Sequence, residues 1–326
     1  MKTYFFLYLL ISTSLQAGNF KSPDSIVSIL FCGDVTLANH FENHVGNNTV
    51  YPFEKIPWFD DADLTMINLE NPLTSRGSAV DKKFTFRALP VYAKMLATSG
   101  IDIVTLGNNH IYDFGSQGLF DTIDYLRKEN IYYVGAGRNN SEARHPVIFF
   151  RKGLKIAFLG FYGTHKHSDS YPAQIDSAGT ALRQLNLIEQ DIRKIRNDVD
   201  LIIVNFHWGT EKATKPGDDQ IAFAHNVIDF GADMIIGHHP HVLQGIEKYK
   251  NKIIAYSLGN FIFGGNSRPE YTTALLKTKI SKNSLNAEVI PLKVTYWQPE
   301  KLEGNAGKAV VDSVKKLSQS FKKSIF

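Results

Sequence analysis

The chain has 326 residues, 43% of them hydrophobic, with 36 basic and 32 acidic side chains for a net charge of +4. That length and apolar content place it among globular proteins with a substantial core. The charge is too weak and too scattered for a nucleic-acid binder, and no run of Lys and Arg interleaved with aromatics occurs in the body of the chain.

Met1 and Lys2 lead into an apolar stretch over residues 4–11 and then into residues 12–17, the arrangement of a secretory signal cleaved after Ala17. The expectation is a secreted or periplasmic protein. The rival reading is an uncleaved membrane anchor, for which the apolar run is short. The single cysteine, Cys32, excludes an intrachain disulfide, and its strand-like surroundings predict a small buried hydrophobe.

Apolar runs of strand length follow at residues 26–31, 64–67, 101–106, 155–161, 201–206, 234–236 and 253–258, with helical patterns at 90–98, 118–128, 182–196 and 219–230. Continuous apolar strands alternating with helices predict an α/β chain with a largely parallel core covered on both faces. Function then belongs at the strand ends. No repeat and no Pro-, Gly- or Ser-rich linker divides the chain, so a single domain is expected, with its main body over residues 26–265. Residues 266–326 complete it: an antiparallel hairpin over 272–280 and 285–296, then an amphipathic basic helix through Val310, Val314, Leu317, Phe321 and Ile325. Lys315, Lys316, Lys322 and Lys323 on that helix face water in one reading and make peripheral contact with an anionic membrane surface in the other.

Polar groups gather where the apolar runs stop. Asp34 follows Gly33 at the end of the first run, as a metal carboxylate or a helix N-cap. Glu70 follows the second, as a metal bridge, a partner for Arg87 or a turn cap. Asn109 and His110 end the third; an amide oxygen suits a hard divalent ion, and a histidine suits proton donation to a leaving group. Asp113 either orients His110 or begins the next helix. His207 precedes Trp208, which would wall a site, although a lone histidine there is also compatible with a satisfied core residue. His239 and His241 flank Pro240, which stiffens the backbone so that both imidazoles arrive with little freedom left to lose. Oxygen and nitrogen ligands at four strand ends point to a metal site.

The ordered set Gly33-Asp34, Asn68-Leu69-Glu70, Gly107-Asn108-Asn109-His110 with Asp113, His207-Trp208-Gly209 with Glu211, residues 237–244, and residues 256–261 resembles the CapA family of bacterial capsule-synthesis (poly-γ-glutamate synthesis) proteins. The resemblance runs from about residue 28 to residue 263. It implies a branch of the calcineurin-like metallophosphoesterases: a two-sheet β-sandwich flanked by helices, holding two divalent ions of Mn, Fe or Zn. On that resemblance Asp34 matches the first metal aspartate, Glu70 stands near the bridging aspartate, Asn109 is the amide ligand and His207 the histidine between the halves. His239 and His241 are the closing pair, and His110 is the proton donor. Thr36 replaces an expected histidine, and Glu70 replaces the aspartate of a Gly-Asp pair, so one of the two metal positions is expected to be weak, altered or empty. Two functions are implied. One is a metal-dependent hydrolase acting on a phosphoester. The other is a non-catalytic subunit that binds metal or ligand and assists a capsule synthase or export complex in handling an anionic polymer.

Overall fold

The computed structural model describes residues 26–163, 169–265 and 268–326. The expected signal segment, residues 1–17, lies outside the described residues.

Along the strand Val27–Thr36 the side chains alternate between two dry layers. Val27, Ile29 and Phe31 enter a core between two sheets, while Leu30 and Cys32 enter a core beneath helices. The strand Leu154–Tyr162 divides the same way, Ile156 and Phe158 facing the inter-sheet core and Ala157, Leu159 and Phe161 the outer one. With both faces buried, such strands read as continuous apolar runs, and they pair in parallel.

The first sheet has eight strands, in the order Gln298–Lys301, Leu285–Thr295, Glu270–Ile280, Val27–Thr36, Leu64–Leu69, Ile103–Thr105 and Tyr132–Val134, with Asn260–Phe263 pairing alongside the end of Val27–Thr36. The second has six, in the order Ile246–Tyr249, Lys252–Ala255, Met234–His238, Leu201–His207, Leu154–Tyr162 and Val147–Arg151. Helices Tyr92–Thr98 and Gly115–Lys128 cover the outer face of the first sheet, and Leu185–Ile195 and Asp218–Asp229 that of the second. The result is two packed sheets between two layers of helices.

The helix Gly304–Ser318 sends Val310 and Val314 into the inter-sheet core, closing one end of the sandwich. It stops earlier than the sequence pattern predicts. Ser318 Oγ donates to Val314 O (2.8 Å) and accepts from Ile246 N (2.9 Å), which ties the last turn to the second sheet. Phe321 and Ile325 therefore lie past the helix, Phe321 stacked on Tyr256 with ring centroids 5.1 Å apart and Ile325 against the inter-sheet core. Among the described residues, no helix is long and apolar enough to cross a membrane.

One close approach positions the site. A Cβ on Gly33 would stand 1.9 Å from the Gly259 carbonyl oxygen, so only glycine fits there. Asp34 N donates to that same oxygen (2.8 Å), and Asp34 lies in register with Asn260. The first strand is thereby locked to a segment that comes late in the chain.

Candidate metal centre

The parallel strands of both sheets end on the same side, and five of them deliver polar side chains there. Asp34 comes from Val27–Thr36, Glu70 from just beyond Leu64–Leu69, Asn109 and His110 from the loop after Ile103–Thr105, His207 from the end of Leu201–His207, and His239 and His241 from the turn after Met234–His238. Asp34 and Glu70 are fully buried. His207 Nε2 lies 2.8 Å from Asn109 Oδ1 and 3.0 Å from His239 Nδ1. His241 Nδ1 lies 3.1 Å from Asp34 Oδ2 and 2.9 Å from Asn260 Oδ1, while its Nε2 lies 3.8 Å from Glu70 Oε1. All six residues expected to be ligands converge, across both sheets.

Two groups of three could each surround one ion: Asp34, Glu70 and His207, and Glu70, His239 and His241, with potential ligand atoms inside 4.8 Å of one another in each group. Glu70 belongs to both. Its Oε1 is buried without a hydrogen-bond partner, 3.6 Å from His207 Nε2. A carboxylate oxygen so placed is costly unless a cation or donor meets it. The mixed carboxylate, amide and imidazole donors fit divalent transition metals.

The turn carrying the closing pair is strained. His239 has φ 98° and His241 φ 57°, both in the left-handed region on either side of Pro240. Non-glycine residues held there cost on the order of 1–3 kcal/mol each and persist where the surroundings demand them. Here the constraint turns both imidazoles toward the carboxylates.

The charges explain one another. Burial pushes the Asp34 carboxyl up, but the imidazoles of His238 and His241 beside it hold it well below the usual carboxylate range. Burial pushes Glu70 well above it; His241 opposes that rise, and the charges of Asp34 and Glu211 add to it. Burial would lower His241, yet Glu70 and Asp34 raise it to about 9. Burial, with the neighbouring His239, holds His207 well below its ordinary value, which leaves it neutral. Asp34 and Glu70 thus favour the charged form of His241, whose ring nitrogens lie where a divalent ion would compete with the proton.

Beside this cluster, His110 Nδ1 lies 2.7 Å from Asp113 Oδ2, so Asp113 orients the ring, and the helix begins at Gly115. Asp113 also accepts from Phe86 N (2.6 Å) and pairs with Lys82 Nζ (2.6 Å), and the Phe86 ring lies 4.2 Å from that of His110. Burial lowers the His110 pKa; Asp113 raises it, and Lys82 and His241 lower it further.

Several expectations resolve differently. Trp208 does not wall the cleft: it stacks on Phe206 (4.7 Å), and its Nε1 donates to Tyr256 O (3.0 Å) in the outer core of the second sheet. Arg87 lies over the Phe114 ring instead of pairing with Glu70. Five further residues take part to which the sequence assigns no role. Asn68 Nδ2 contacts Asp34 Oδ1 (2.9 Å), Glu70 Oε2 (3.3 Å) and His207 Nδ1 (3.3 Å), while Asn108 Nδ2 donates to Asn68 Oδ1 (3.1 Å). Lys82 donates to Asn109 O (2.7 Å), and Asn260 meets His241. His238 is buried with neither ring nitrogen hydrogen-bonded, its Nδ1 3.4 Å from Asp34 Oδ1. The motifs around Asn68, His238 and Asn260 were visible signals; Lys82 had none.

Two packed sheets flanked by helices, with carboxylate, amide and imidazole groups at the parallel strand ends, define a calcineurin-like metallophosphoesterase fold. A 5'-nucleotidase precursor from Thermus thermophilus shares the architecture at 11% identity and a TM-score of 0.51, covering 91% of this chain and 59% of that one. The calcineurin-like phosphoesterase YfkN from Bacillus subtilis aligns at 16% identity and a TM-score of 0.47, over 91% of this chain and 98% of that one. Residues 28–265 match the family described as Bacterial capsule synthesis protein PGA_cap, and the chain belongs to that family. It is 30% identical to the PGA biosynthesis protein CapA of Bacillus subtilis (strain 168) over 90% of this chain and 80% of that protein. It is 31% identical to the capsule biosynthesis protein CapA of Bacillus anthracis over 84% and 69%.

Proposed function

We propose that the chain is a divalent-metal-dependent hydrolase of phosphoesters that serves the synthesis or export of a capsule polymer such as poly-γ-glutamate, working outside the cytoplasm or anchored at its membrane. The observation that carries this reading is Glu70 Oε1, a buried carboxylate oxygen without a partner that belongs to both three-residue groups. In this reading Asp34, Glu70, Asn109, His207, His239 and His241 hold two ions of Mn, Fe or Zn. Divalent ions bound there supply Lewis acidity toward a phosphoryl oxygen and lower the pKa of water.

The remaining work falls to the side chains. Asp113 accepts the Nδ1 proton of His110, which leaves Nε2 as the nitrogen that exchanges a proton with the leaving-group oxygen. Lys82 keeps the Asp113 carboxylate in place, and Phe86 fixes the ring from the side. Burial lowers the His110 pKa and Asp113 opposes that shift, so the form able to donate from Nε2, the doubly protonated ring, gains population as pH falls.

The test is metal analysis of the purified protein, followed by phosphomonoester and phosphodiester hydrolysis with and without a chelator. His110→Ala should keep its metal and lose roughly 10²–10⁴-fold in turnover. A second reading, a non-catalytic metal-binding subunit of a synthase or export complex, draws on Thr36. Its buried Oγ1 has no hydrogen-bond partner, and it stands where the fold leads one to expect a histidine ligand. That reading replaces the first if His110→Ala retains full polymer output in cells while the His239→Ala/His241→Ala variant loses it.

A further inference from the structure

We propose that a pocket of about 410 Å³ at the start of the helix Asp218–Asp229 is an anion subsite, in which Arg183, Gln220 and Lys215 take a carboxylate or phosphate group of the bound molecule. Arg183 carries most of the argument. Its Nε is buried without a hydrogen-bond partner, and the charge of Asp219 on the same pocket wall acts on its guanidinium without, among the described residues, closing an ion pair within 4.0 Å. It is nonetheless held in place, over the Phe223 ring at 5.4 Å from the centroid. A guanidinium held over a ring at the wall of a cavity, with its buried Nε–H unmatched, is incomplete without an acceptor.

Gln220 supplies the second, independent observation. It is 9% exposed, and its Nε2 also lacks an acceptor. Two unsatisfied donors lining one pocket ask for a ligand made of acceptors, and a carboxylate or phosphate offers several. Lys215 adds a positive charge and Asp219 a negative one, so the lining keeps a net charge of +1 with Arg183. Asp218 and Asp219 already complement the first helical turn, so the recognition falls to the side chains and not to the helix end.

The pocket adjoins the metal-ligand cluster. Arg183 N donates to Gly163 O (3.2 Å), just past the strand Leu154–Tyr162, and the Tyr162 ring meets His207 edge-on at 5.4 Å. Gly209, two residues beyond His207, has φ 86°, and a Cβ there would press on Gln220 Oε1 at 3.0 Å. A molecule with two anionic groups would therefore place one at the cluster and the other beyond Tyr162. The anion site stands on Arg183 and Gln220 alone and does not require hydrolysis.

The experiment is calorimetric titration of chelator-treated, desalted full-length protein with inorganic phosphate and, separately, with glutarate. Saturable binding of at least one is expected, and the stronger of the two identifies the anion class. Arg183→Gln should weaken it at least tenfold. Gln220→Leu should weaken it several-fold while leaving the melting temperature unchanged or raised, because it removes an unsatisfied buried amide. The proposal is overturned if the wild type binds neither anion, or if both variants bind as tightly as the wild type. It is equally overturned if binding disappears only in the His239→Ala/His241→Ala variant. Loss of metal in that variant with anion binding intact would separate the two sites.

Discussion

Glu70 and Glu247 are both buried glutamates beside histidines, yet they do opposite things. Glu247, on the strand Ile246–Tyr249, accepts from His225 Nε2 at 2.9 and 3.0 Å through its two oxygens and from Tyr256 Oη at 2.7 Å. His225 is pinned in turn by Tyr249, stacked 3.8 Å away. Around Glu70, two imidazole nitrogens stand 3.6 and 3.8 Å from an oxygen with no partner. Residue type is the same and burial is the same; satisfaction differs. A closed network fixes the second sheet to its covering helix, whereas an open one is a place for something the chain does not itself provide.

The largest effect expected from that contrast lies at the open network. Glu70→Gln, or His239→Ala with His241→Ala, should abolish metal retention and with it the thermal shift between metal-loaded and chelated protein. A ligand at 100 times its Kd stabilises by about 2.7 kcal/mol, so the wild-type shift is readily measured by calorimetry. Equal metal content in Glu70→Gln and wild type would erase the distinction. Lys82→Met comes next: with Asp113 no longer pinned, turnover should fall about 10- to 100-fold while metal content holds, and unchanged kinetics would reduce Lys82 to packing. Glu247→Gln should cost about 1–3 kcal/mol in denaturant unfolding and leave metal content untouched. Metal loss in that variant would show that the two networks are coupled.

The smallest effect belongs to a surface carboxylate that is also satisfied. Burial raises the Asp63 pKa, but bonds from Lys152 and Ser28 outweigh it and hold it below its ordinary value. Its stabilising contribution is therefore complete above the ordinary carboxylate pKa of about 3.9 and is lost as pH falls through the lowered folded value. Asp63→Asn should be slightly less stable at neutral pH and show a flatter decline below about pH 4. An unaltered acid limb in urea titrations would remove Asp63 from the balance.

The sequence made the long buried strands legible because two-sided burial writes itself as an apolar run, as in Leu201–His207 and Met234–His238. The candidate site residues were legible for the same reason, since each follows the end of such a run. What stayed hidden was short or tertiary. Asn260–Phe263 and Tyr132–Val134 are too brief for a period to register. Lys82 lies outside any helix or strand, and only the fold brings it to Asp113 and Asn109. The terminal helix overran in the sequence reading because Phe321 and Ile325 keep a helical spacing while serving a chain that has already turned.

The lock between Asp34 and the Gly259–Asn260 segment dictates an order of events during synthesis. His239 lies 205 residues after Asp34. At about 5–20 residues per second, a ribosome needs roughly 10–40 s to cover that interval. Throughout it the nascent chain displays Asp34 and Glu70 without His239 and His241, so the group of Glu70, His239 and His241 cannot close until the interval has passed. The cluster is complete only when the last strands of both sheets have joined.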